Sequence, residues 1–314
     1  MDAAQLRPLS IGEILDVAIK IYRERFGSLV RAVAVVVGPV SLVSALVQVS
    51  AFPDLNSFDT TVDPEAAPDF DFDDFWAFMA GILVVVFLSF IASQVATAAS
   101  FKIVSGAYLD VEDDWRDSLR FALSRLRPLI WLAILSGVLV ALGFIACIIP
   151  GIYFYGAWAV AVPVLLLEDV RGRQALKRSR ALVTDRWWPT VGALLVAFVL
   201  AGIVQALISG LLVAVTFSGG NDLVEAIAQA VGNTVGSMLT TPFTAAVVAA
   251  VYFDLRVRKE GFDLELLARR VGVEPPPGTR TDDLLPPPPS DVPPSVQPPY
   301  WPPPPGWRPP EPDA

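Results

Sequence analysis

The stretch PLIWLAILSGVLVALGFIACIIPGIYFYGAWAVAVPVLLLEDV, residues 128–170, decides the fold. Arg127 and Arg171 bound it, and no charge falls inside it before Glu168. About 40 apolar residues is twice what one crossing of roughly 30 Å of hydrocarbon needs. Pro150-Gly151 offers a turn in the middle. Both flanks are rich in arginine, and loops rich in Lys and Arg stay on one side of a bilayer. An even number of crossings must therefore separate them. The second crossing, 152–168, is short and holds Pro163; alone it reads equally as a re-entrant segment, but parity makes it a span.

Working outward, further apolar runs long enough to cross fall at about 29–51, 76–101, 188–216 and 236–254, with 129–149 and 152–168 completing six. Cations cluster at Arg7 to Arg31, at Lys102 and Arg116 to Arg127, at Arg171 to Arg186, and at Arg256 to Arg270. The loop between spans one and two has no cation and carries Asp54, Asp59, Asp63, Glu65, Asp69, Asp71, Asp73 and Asp74. The loop between spans five and six also lacks cations. The basic segments are expected in the cytoplasm with both termini, and the other two loops outside.

Composition agrees. Hydrophobic residues make up 54% of the 314 residues and charged ones 18%, with a mean hydropathy of +0.55, which is a membrane signature. The net charge of −9 sits largely in the acidic loop and the tail and says little about the membrane body. There is no histidine, which excludes Ser-His-Asp and Cys-His nucleophile systems and His-containing zinc sites. The single cysteine, Cys147, stands in an apolar run and is expected to be a small buried hydrophobe. Residues 1–27 are charged throughout, unlike a cleavable signal peptide. Asp69, Asp71, Asp73 and Asp74 invite a calcium reading, but the turn glycine and the terminal bidentate Glu of an EF-hand are missing.

Each basic segment before an odd-numbered span has helical periodicity. Ser10-Ile11-Gly12-Glu13 has capping-box spacing, followed by Ile14, Leu15, Ala18, Tyr22 and Phe26 on one side. Trp115, Leu119, Ala122, Leu123 and Leu126 repeat the pattern, as do Ala175, Leu176, Ser179, Leu182 and Val183. With Leu15, Leu119 and Leu176 in register, three copies follow of one unit: amphipathic cationic helix along the membrane face, basic or aromatic junction, outward span, return span. Either this is a true repeat or it is what hairpin insertion imposes. The fold class is all-α, a polytopic bundle of six spans with cytoplasmic amphipathic helices before spans one, three and five. Residues facing anionic lipid or a partner would be Arg23, Arg25, Arg125, Arg127, Lys177, Arg178, Arg180 and Arg186; the competing reading is plain topology anchors.

No Asp, Glu, Lys or Arg falls in the middle of a span, whereas proton and ion pumps keep an ionisable group at depth. Gln94, Gln205, Thr240 and Thr241 form a candidate polar cluster inside the membrane, read as core packing in preference to a substrate groove. Ala228, Gly232, Gly236 and Thr240 fall four apart, a stripe that lets helices approach closely. Pro39, Pro163 and Pro242 are expected to kink spans one, four and six. Eighteen of the 28 prolines lie in the last 40 residues, so 1–272 reads as the membrane domain and 273–314 as a disordered cytoplasmic tail. Tyr300, Trp301 and Trp307 in that tail either dock on an aromatic groove or belong to an unselective spacer.

Three stretches carry a resemblance: Leu6 to Asp16; Pro163 to Glu168 with Ala175 to Arg180; and Tyr252-Phe253-Asp254-Leu255-Arg256. Together they resemble the membrane domain named after glycerophosphoryl diester phosphodiesterases, in its stand-alone actinobacterial form, over roughly residues 6–270. The resemblance implies a bacterial plasma membrane. It implies no phosphodiesterase activity, because the catalytic domain of the fused enzymes, with its metal-binding histidines and carboxylates, has no counterpart here. No enzyme activity and no cofactor is expected. The expected function is a non-enzymatic scaffold or accessory subunit, using the cationic face and the tail to engage anionic lipid and other proteins, with no nucleic acid. The alternative is a lipid or small-solute permease, favoured by an open polar cavity at Gln94, Gln205 and Thr240.

Overall fold

A computed structural model of the chain describes residues 9–51, 72–108, 114–216 and 222–261. Among the described residues there are ten α-helices and no strand. They are α1 (Ile11–Glu24), α2 (Phe26–Ala51), α3 (Phe72–Tyr108), α4 (Trp115–Ser124), α5 (Leu126–Ala146), α6 (Ile148–Ala157), α7 (Ala161–Leu167), α8 (Arg173–Val183), α9 (Trp187–Thr216) and α10 (Asp222–Glu260). Six stretches are long and apolar enough to span a bilayer: Phe26–Val47, Met79–Tyr108, Leu126–Ala146, Ile148–Leu167, Trp187–Leu212 and Ala226–Glu260. The protein is an all-α, six-span membrane bundle with a short amphipathic helix before spans one, three and five. The acidic loop and the tail lie outside the described residues. The compact unit discussed below ends at Leu255; the described part of a second unit is Arg256–Gly261, where Arg256 Nε donates to Glu260 Oε2 at 3.1 Å.

The fourth span departs from its expected form in two ways. It is two helices, α6 and α7, broken at Trp158–Val160, and Pro163 lies in the first turn of α7. A proline there removes an N–H that has no intrahelical acceptor anyway, so the break precedes it. The hairpin turn falls at Cys147, in extended backbone (φ −171°, ψ 148°), rather than at Pro150-Gly151. Pro150 takes the third position of α6 for the same reason. Gly143 and Gly151 let the two arms close: a Cβ on Gly143 would stand 3.1 Å from the Gly151 Cα, and one on Gly151 2.5 Å from the Phe144 ring. Cys147, expected to be buried, is exposed at this apex. Pro39 and Pro242 sit inside continuous helices.

Helices α3 and α10 run for 37 and 39 residues. At about 1.5 Å per residue each is roughly 55–60 Å long, nearly twice the hydrocarbon thickness. Their halves differ. Leu83, Val84, Val86 and Phe87 of α3 and Val224, Ile227, Val231 and Val235 of α10 are exposed, as membrane-facing surface must be. From Ala92 to Tyr108 most residues are buried, and from Ala245 to Leu255 all but Val248 are.

The amphipathic helices cover those buried halves. The first, α1, is closed by the expected capping box, Ser10 N–H to Glu13 Oε2 at 2.8 Å and Glu13 N–H to Ser10 Oγ at 3.4 Å. It runs antiparallel to α10, with Leu9 N–H bonded to Asp254 Oδ1 at 2.7 Å and the Tyr22 ring edge-on to Phe243 at 6.2 Å. Lys102 of α3 lies 5.7 Å over the Phe121 ring of α4, and Ser179 Oγ of α8 donates to Ala157 O of α6 at 2.9 Å. Their buried residues, among them Ile14, Ala18 and Ile21 of α1, Ala122 of α4 and Leu176 and Leu182 of α8, are thus turned to protein, while Leu123 of α4 stays exposed. Burying Ile14 and Ile21 alone contributes roughly 3–6 kcal/mol.

A threefold register emerges, different from the expected one. The chain bends from amphipathic helix into span at Arg25 (φ −107°, ψ 17°) and at Arg125 (φ −102°, ψ 7°), and α9 starts just after Arg186. In each case the residue four further on, Leu29, Leu129 or Thr190, donates its N–H to that arginine's carbonyl at 3.0–3.1 Å. Counted from these arginines, Ala18, Ser118 and Ser179 are equivalent and fully buried; so are Leu29, Leu129 and Thr190, and Ala32, Leu132 and Ala193. Leu15 and Leu176 match as expected, but their counterpart is Trp115, not Leu119. Helix α4 lacks the first turn that α1 and α8 possess, which displaced the leucine pattern by one turn.

Candidate functional site

The basic end of the bundle gathers polar side chains from segments far apart in the chain. Glu168 caps the C-terminus of α7. Its carboxylate accepts Arg178 Nε at 2.7 Å, Arg178 Nη2 at 3.3 Å and the Tyr252 hydroxyl at 2.9 Å, joining α7, α8 and α10. The Glu168 side chain is 15% exposed and that of Arg178 31%. Asp254 is buried and holds the start of α1 through the Leu9 amide, while Tyr108 of α3 stacks on Phe253 at 4.2 Å. Each carboxylate at this depth is answered by a charge or a hydrogen-bond donor, as its desolvation requires.

Beside this cluster, Asp169 (φ 54°) pairs with Arg125 and lies 3.7 Å from Arg171. Of the eight basic residues singled out from the sequence, Arg125 and Arg178 are therefore engaged in internal ion pairs. Arg25 and Arg186 are half-buried at two of the three helix-to-span junctions. Arg23, Arg127, Lys177 and Arg180 are exposed, and the Arg180 guanidinium stands 5.9 Å over the Tyr153 ring. The basic set is thus not one surface: part braces the fold and part faces outward.

The intramembrane polar residues are used in packing. A Cβ on Gly236 would collide with the Gln205 amide, and the three atoms nearest that notch all belong to Gln205. Likewise the Leu212 side chain fills the space at Gly232. Gln205 Nε2 reaches Ser209 Oγ at 3.5 Å, Thr240 Oγ1 donates to Gly236 O at 2.8 Å, and Thr244 Oγ1 to Thr240 O at 2.9 Å. Gln94 on α3 and Thr241 on α10 are half-buried. On the other flank of α10, Ala45 of α2 packs with Ala226 and Ala230, and Gly38 faces the Thr234 methyl. The small-residue stripe works as a seam between helices. Tyr300, Trp301 and Trp307 lie outside the described residues.

Sequence reasoning did not single out Glu168, Tyr252, Asp254 or the Leu9 amide as partners. Periodicity could not find them, because they pair across 84 and 245 positions. They do fall within the short stretches Leu6 to Asp16, Pro163 to Glu168 and Tyr252 to Arg256. No family model, curated protein or solved structure matches this chain.

Proposed function

We propose that the protein is a non-enzymatic scaffold or accessory subunit of a bacterial plasma membrane, with its basic end and both termini in the cytoplasm. The observation that carries this reading is the use of Gln205: its amide fills the notch at Gly236, and the neighbouring threonine hydroxyls are bonded to their own helix. A permease path along these residues would need polar groups turned to an open cavity, and here they are turned to packing. What remains outward at the basic end is a set of exposed arginines and lysines, suited to anionic lipid and to partner proteins. The proline-rich tail, by composition, is suited to docking. The resemblance to the stand-alone phosphodiesterase-type membrane domain agrees with a membrane part that carries no chemistry of its own.

The test is co-purification in gentle detergent of the full chain and of one cut after Gly272. The scaffold reading expects proteins that accompany the full chain and are lost on truncation, with unchanged elution of the membrane body. The same companions on both would remove the tail from the account, and solute flux by reconstituted protein would favour the permease.

A further inference from the structure

The three amphipathic helices hold equivalent places in the fold, yet their charges differ. Helix α1 carries Lys20 and Arg23 against Glu13, Asp16 and Glu24, and α4 carries Arg116 and Arg120 against Asp117. Helix α8 carries Arg173, Lys177, Arg178 and Arg180 and no acid. Helix α1 packs against a return helix with more acids than cations and α4 with a single cation in excess, so packing does not require the four uncompensated cations of α8. Nor does topology require all four, since Arg171 before α8 and Arg186 after it already mark this loop's side of the membrane.

Of the four cations, Arg178 is held by Glu168, and Arg180, though exposed, stands 5.9 Å over the Tyr153 ring. Arg173, Lys177 and Arg180 are all exposed, and at spacings of four and three they form one face opposite the buried Ala175, Leu176, Ser179 and Leu182. Exposed tryptophans bracket this helix. At its start the Trp131 indole, 60% exposed, lies against Gly172, with Nε1 3.3 Å from where a Cβ would stand; Gly172 adopts φ +56°, a conformation that favours glycine. At its end Trp187 donates Nε1 to Tyr153 O at 3.2 Å and meets Trp188, 79% exposed, edge to face at 4.7 Å. Tryptophan prefers the headgroup layer, where its ring is apolar and its N–H is wet. An acidic soluble partner would account for the cations but not for the exposed indoles at both ends.

We propose that the Arg173–Lys177–Arg180 face of α8 is a docking surface for anionic phospholipid headgroups of the adjacent leaflet. This deepens the reading of the basic end given above and rests on it. The indoles set the depth of α8, and the three cations meet the headgroup phosphates. Helices α1 and α4, with mixed charge, take structural places only.

The test uses the full chain in detergent, titrated with phosphatidylglycerol and, as a neutral comparator, phosphatidylcholine, with bound lipid counted by native mass spectrometry. Near a membrane surface each cation contributes about fivefold, so Arg173→Gln/Lys177→Gln/Arg180→Gln is expected to weaken phosphatidylglycerol binding by roughly a hundredfold at low salt. Lys20→Gln/Arg116→Gln/Arg120→Gln, with the same charge loss, is expected to change it less than about twofold. Lys177→Gln alone should give about fivefold, which keeps the test valid if the triple variant does not fold. Arg173→Lys/Arg180→Lys should retain binding. Equal losses in the two triple variants, or no loss in the α8 set, would overturn the proposal. So would displacement of the lipid by inorganic phosphate, or loss of a co-purifying acidic protein with lipid binding intact. Failure here leaves the scaffold reading standing, since that reading is judged by the proteins lost on truncation.

Discussion

Glu168 offers a perturbation whose size follows from its surroundings. Its carboxylate carries two hydrogen bonds from Arg178 and one from Tyr252, and the pair is neither fully buried nor open, at 15% and 31% exposure. Removing one partner of a deeply buried ion pair costs about 3–5 kcal/mol, and exposed pairs contribute about 0–1 kcal/mol. A half-buried bidentate pair falls between, so Glu168→Gln should destabilise by about 2–3 kcal/mol. Arg178→Gln should cost a similar amount, and Tyr252→Phe about 1 kcal/mol for its single hydroxyl bond. The decisive quantity is the coupling in a double-mutant cycle of Glu168→Gln with Arg178→Gln, measured by denaturant-induced unfolding in detergent. A coupling of about 1.5–2.5 kcal/mol is expected, because the second substitution removes a charge already left alone. Additivity within about 0.5 kcal/mol would refute the claim that this pair ties α7 to α8.

Other contacts give tests of the same kind. Gly236→Ala places a Cβ on the Gln205 amide and should destabilise the bundle by about 1–3 kcal/mol; Gln205→Ala in the same chain should recover most of it, and no recovery would mean the notch is not the cause. Asp254→Ala leaves the buried Leu9 N–H without its acceptor, at about 1.5–3 kcal/mol for a bond to a charged group. Amide exchange across α1 should then rise while that of α5 stays unchanged; equal exchange in α1 would contradict its anchoring by Asp254. Gly151→Leu drives a side chain into the Phe144 ring and should lower thermal stability more than Gly137→Leu, whose position has open space.

Hydropathy and charge made the six spans legible, and the amphipathic helices followed from spacing. Less legible was how helix ends are set locally. Pro150 and Pro163 read as a turn and a kink, yet each lies in a first helical turn that tolerates proline, with the break placed just before. The repeat register was one turn off in α4, because leucine spacing alone does not mark where a helix begins; the three junction arginines do. In the polar set, sequence could not tell a bracing arginine from an outward one. Arg178 and Lys177 are neighbours in the chain, yet one is held by Glu168 and the other is exposed. The decision lies with Glu168, placed by a helix ten residues earlier whose direction only the fold reveals. Gln205 reads from sequence as core packing rather than a groove lining, but its notch, Gly236, is on another helix and only the fold pairs the two.

The central claim is a six-span bundle with its basic end, and therefore α8, on the cytoplasmic side. Cysteine labelling in intact cells tests it most directly. In a Cys147→Ser background, Asp69→Cys should react with an impermeant maleimide added outside. Gln174→Cys on the exposed start of α8 and Ser290→Cys in the tail should react only after the membrane is opened. Labelling of Gln174→Cys from outside, with Asp69→Cys protected, would contradict the account.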